Sequence, residues 1–65
     1  MSKHDRAELV QILANNLDVI AMLMQTKVTR ATLELQTTET LAKLMANFEA
    51  FYDGKPWKNV TLKGN

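Results

Sequence analysis

Apolar residues recur through the first half of the chain at the three- and four-residue spacing of a single helix face. With a helix advancing ~100° per residue, Val10, Leu13, Leu17, Ile20, Met24, Val28, Ala31 and Leu35 fall within an arc of about 80°. Leu9, Ile12, Val19 and Leu23 widen that face on one side, and Gln11, Asn15, Asp18, Gln25 and Thr29 lie opposite. The spacing predicts a long amphipathic helix over about residues 5–36. Asp5, with Glu8 three residues on, has the pattern of a capping box at its start.

A second apolar set, Leu41, Leu44, Met45, Phe48, Phe51 and Tyr52, is out of phase with the first by roughly 120° on a continuous helix. The chain must therefore bend between the two sets. Gln36-Thr37-Thr38 is the favoured place, because paired threonines suit a helix N-cap better than a helix interior. A turn at Thr26–Thr29 competes with it. The second helix is expected over about residues 38–53, where Asp53-Gly54-Lys55-Pro56 forms a stop signal. Residues 4–53 then form one helical domain, and residues 54–65 a basic tail containing one aromatic residue.

The expected fold class is all-α, an antiparallel helical hairpin followed by a short C-terminal tail. A face that is apolar over half of a long helix is too broad for one short neighbour to cover. Self-association into a helical bundle is therefore expected, with the eight residues from Val10 to Leu35 named above as the oligomer interface. Size supports the same expectation. At 65 residues the chain is one domain, and a domain of this size buries only ~60% of the surface its unfolded chain exposes. Small domains add disulfides, a metal or a partner copy to compensate. The chain has no cysteine and only one histidine, His4, so neither a disulfide nor a structural metal is expected.

Charge narrows the function without naming it. Eight basic and seven acidic residues leave a net charge of +1, which is a weak electrostatic footprint for gripping nucleic acid. The distribution is uneven: residues 54–65 hold Lys55, Lys58 and Lys63 and no acid. Charged residues crowd the start, so no signal peptide is expected, and the apolar run Ile12–Met24 is interrupted by Asn15, Asn16 and Asp18. A cytoplasmic setting and no membrane partner are the corresponding expectations.

No constellation for catalysis stands out. His4 lacks an orienting partner, Asp5 and Glu8 read as helix-start residues, and both glycines lie in the tail, away from any phosphate-cradling loop. No enzyme activity, cofactor or metal is expected. Asn16, Lys27 and Glu34 fall at the edge of the apolar arc, where a polar side chain fixes register or packs its stem and keeps its head in water.

The partner-binding candidates are Trp57, Tyr52, Met22, Lys55 and Lys58. Trp57 either folds back onto Phe51 or anchors a projecting arm, and aromatic residues of this kind are over-represented among interface hot spots. Met22 falls on an otherwise polar face. The alternating run Lys58–Lys63 is long enough to add as an edge strand to a partner. The function expected is a small protein-binding regulator, adaptor or assembly chaperone of the bacterial or phage accessory type. The alternative is a nucleic-acid-binding helical dimer, whose basic surface would gather Lys3, Arg6, Lys27, Arg30 and the tail lysines. In layout alone, the expected hairpin dimer is similar to small plasmid copy-control proteins, which bind RNA.

Overall fold

A computed structural model of the chain describes residues 5–64. Among these residues the fold is all-α: α1 (Arg6–Ala14), α2 (Leu17–Met24), α3 (Arg30–Glu34) and α4 (Thr38–Tyr52). His4 and Lys3 lie outside the described residues.

The long helix expected over residues 5–36 is in fact three helices, and the polar residues that interrupt the apolar face are what divide it. At the first break α1 and α2 meet at 89°. The Asn16 amide N–H donates to Leu13 O at 3.0 Å instead of closing the regular bond to Ile12 O. The Asn16 side-chain Nδ2 takes over that carbonyl at 2.7 Å. A side chain that replaces a main-chain donor lets the corner form without an orphaned acceptor.

The second break follows Met24, where Gln25 adopts a left-handed conformation (φ 56°). Gln25 N–H donates to Met22 O and Thr26 N–H to Ala21 O, which closes the end of α2. Thr29 then caps α3 by accepting from Thr32 N–H at 3.2 Å, so the competing turn at Thr26–Thr29 is present. The turn favoured by the sequence is present as well, because Thr37 caps α4 by accepting from Thr40 N–H at 3.1 Å. Asp5 caps α1 through Glu8 N–H at 2.8 Å.

α4 runs unbroken to Tyr52 and ends at Gly54, whose φ of 71° is the left-handed geometry that glycine adopts most readily. Lys55 N–H donates to Ala50 O at 2.8 Å across this end. α1 packs on α3 and α4, and α2 packs on α4. The apolar face that a straight helix would have left open is folded onto itself. Leu13, Ile20, Leu33, Leu41 and Leu44 are fully buried in one core, with Leu9, Val10, Val28 and Met45 around them. Each large aliphatic side chain so enclosed stabilises the fold by about 1.5–3 kcal/mol relative to exposure. Arg6 closes the bundle's edge by donating its guanidinium to Gln36 O and Glu34 O at the end of α3.

The tail returns along the body. Val60 and Leu62 pack against the core, and two buried side-chain amides hold its main chain. Asn47 of α4 accepts from Lys58 N–H at 3.1 Å and donates to Lys58 O. Gln36, between α3 and α4, accepts from Lys63 N–H at 3.0 Å and donates to Lys63 O at 2.9 Å. With exposures of 5% for Asn47 and 3% for Gln36, these amides need partners, and the tail supplies them.

Among the described residues no single helix is long and apolar enough to cross a membrane.

Candidate functional site

The end of α4 and the first residues of the returning tail form one aromatic surface. Phe48, Phe51 and Tyr52 stand three and four residues apart on α4, so their rings emerge on neighbouring turns. Phe48 and Tyr52 meet edge to face at 5.0 Å, Tyr52 and Phe51 at 5.2 Å, and Phe51 and Trp57 at 5.9 Å. These spacings suit the positive ring edge meeting the negative ring face. The four rings therefore form a continuous chain that begins at the core and ends in solvent: Phe48 packs against the core, while Tyr52 is 62% exposed and Trp57 41%. Trp57 thus folds back onto Phe51, as in the first of the two readings the sequence left open, and the tail does not project as an arm, although part of the indole stays exposed.

Lys55 and Lys58 are exposed on the tail on either side of Pro56-Trp57. A groove of about 530 Å³ opens beside them, with Lys43, Ala46 and Ala50 of α4 on one side and Trp57, Lys58 and Val60 of the tail on the other. Its lining thus combines two small alanines, an indole and two lysines. Met22, the remaining candidate, is exposed on α2 and does not line this groove.

The residues expected at an oligomer interface are divided by the fold. Val10, Leu13, Ile20 and Val28 are buried within the single chain, Leu17 and Met24 are half-buried against that core, and Ala31 and Leu35 are exposed. A second copy is not needed to cover the first four. The cations weighed for nucleic acid are divided too. Arg6 is engaged with main-chain carbonyls, and Arg30 bonds to Glu34 at 3.3 Å and to Gln11 at 3.2 Å. Lys27 is exposed in the connection between α2 and α3.

Sequence reasoning missed Asn47 and Gln36. The available signal was Asn47 itself, an amide beside the apolar positions Leu44 and Phe51 in the interior of a helix where aliphatic or long-chain residues form helix more readily. Among the described residues no three His, Cys, Asp or Glu side chains converge as metal ligands would.

No family model matches the chain, and no curated protein and no solved structure is significantly similar to it.

Proposed function

We propose that the chain is a non-enzymatic protein-binding module, a small regulator, adaptor or assembly chaperone, that engages its partner with the aromatic surface at the end of α4. One observation carries the reading: the Phe48–Tyr52–Phe51–Trp57 chain of rings is rooted in the core yet leaves Tyr52 largely and Trp57 partly open. A rigid, core-anchored aromatic loses little conformational freedom on binding, which is why such residues dominate interface energetics.

The test is capture of cellular proteins on the immobilised full chain, compared with the Tyr52→Ala and Trp57→Ala variants. A partner retained by the wild type and lost with both variants, at unchanged helicity, supports the reading. Retention by both variants contradicts it.

Self-association belongs to the same proposal through the exposed apolar positions Ala31 and Leu35. Light scattering over a dilution series reads it: a dimer abolished by Leu35→Glu supports it, and a monomer at every concentration removes it.

A further inference from the structure

Between its two amide clamps the tail has the properties of an unpaired strand. The stretch from Lys55 to Leu62 contains no helix and no turn. Exposure alternates along it: Asn59, Thr61 and Lys63 face solvent while Val60 and Leu62 are partly covered by the core. This is the two-residue period of a strand lying on an apolar surface. The main chain of residues 59–62 makes no hydrogen bond to any described residue, whereas Lys58 on one side and Lys63 on the other are each held at both N–H and C=O. The edge is thus fixed at both ends and, in the middle, without a partner among the described residues. Fixing it in advance removes much of the ordering entropy that a free tail would lose on pairing.

The groove beside α4 runs along part of the same stretch, with Lys58 and Val60 in one wall and Lys43 across from them. No acidic residue lines it. Glu49, adjacent to Ala50 on α4, is the nearest acid in sequence to that lining and is not part of it.

We propose that residues 59–62 receive an extended acidic segment of another protein by strand addition. The segment's main chain pairs with the free edge, an apolar side chain settles over Ala46 and Ala50 against Trp57, and its carboxylates face Lys43 and Lys58. Main-chain pairing supplies affinity in this mode, and the side-chain pockets supply selectivity. The inference rests on the protein-binding reading and names the chemistry of the partner.

A second copy is a poor occupant. Asp5 and Asp53 cap helices, and Glu8, Asp18, Glu34, Glu39 and Glu49 lie within them, so the chain has no acidic extended segment to offer. Its own tail is basic, and lysines at both ends of an edge oppose pairing with a like copy. A nucleic acid would satisfy the lysines and stack on Trp57, but it has no peptide edge to match residues 59–62.

Trp57 is the only tryptophan, so its emission reports occupancy of the groove. The probe is a terminally blocked octapeptide of alternating glutamate and valine, titrated into the full chain at low salt. Saturable change in Trp57 emission is expected. Binding about tenfold weaker is expected when lysine replaces glutamate, or when alternate amides are N-methylated, consistent with the loss of roughly one hydrogen bond or ion pair. Lys43→Glu should weaken the acidic probe and leave helicity unchanged. Equal binding of the acidic and lysine peptides, equal binding of the N-methylated peptide, tighter binding of an oligothymidylate, or no emission change at millimolar peptide would each overturn the proposal.

Thr61→Pro separates this inference from the reading beneath it, because it removes an N–H that has no partner within the described residues. Partner capture that survives Thr61→Pro but not Trp57→Ala sinks strand addition and keeps the aromatic contact. Loss of capture with both keeps the two together. Should Thr61→Pro disturb the fold, the N-methylated peptide decides the same question on the unmodified chain.

Discussion

The helical body and the returning tail are held in place by different physics. The body is closed by apolar burial: Leu13, Ile20, Leu33, Leu41 and Leu44 come from all four helices and share one core. The tail contributes only the partly covered Val60 and Leu62 to that core and is secured chiefly by Asn47 and Gln36. Four such hydrogen bonds at about 0.5–1.5 kcal/mol each amount to less than five fully buried aliphatic side chains at about 1.5–3 kcal/mol each. The tail is therefore the part that opens first, and local opening at low free energy is what a contact segment needs. Order and availability coexist because the clamps fix the tail's ends and leave its middle and the aromatic surface open.

The largest expected effect tests the body. Leu13→Ala removes a side chain with no exposed surface, and chemical denaturation should show about 2–5 kcal/mol lost in one cooperative transition. Gln36→Ala comes next, because that amide bonds both to Thr32 O at 2.7 Å and to the tail. A loss of about 1–3 kcal/mol is expected, with the tail's release and the weakened corner appearing together. Asn47→Ala should cost less, roughly 1–2 kcal/mol, and its signature should be local. Trp57 emission shifts toward that of solvent-exposed indole while helicity holds. If Asn47→Ala lowered stability as much as Leu13→Ala, the tail would be part of the cooperative core and the contrast would fail.

The smallest effect runs the other way. Gln25 and Gly54 end their helices in the same left-handed geometry, but a side chain there is strained where glycine is not. Gln25→Gly should raise the melting midpoint through a gain of roughly 0.5–1 kcal/mol, confined to the body. A destabilised variant would mean that the Gln25 side chain has a role of its own.

How much of this was legible follows from the range of each interaction. Asp5, Thr37 and Gly54 act on neighbours within a few residues, so the start of α1 and both ends of α4 could be read directly. The break at Asn16 could not, because periodicity continues through it and the corner depends on one amide replacing a main-chain donor. Missing that corner kept the helix straight, and a straight helix left an apolar face that only a partner copy could cover. With the chain folded at Asn16 and again at Gln25, all of those residues but Ala31 and Leu35 are covered within it. The tail's docking was equally hidden, since Asn47 reaches eleven residues ahead and Gln36 twenty-seven. No local pattern encodes a contact between a helix amide and a distant main chain. Trp57 and Tyr52 were legible as candidates by residue type, while their arrangement with Phe48 and Phe51 required α4 and the tail to be placed together.

Native-state hydrogen exchange, followed residue by residue, tests the contrast between body and tail most directly. Strong protection is expected at Leu13, Leu41 and Leu44, intermediate protection at Lys58 and Lys63, and near-unprotected exchange at Asn59, Val60, Thr61 and Leu62. Lys58 and Lys63 exchanging as fast as the residues between them would contradict that contrast, because the tail would then be unclamped. Protection of residues 59–62 equal to that of the core would contradict it as well, because no free edge would remain to meet a partner.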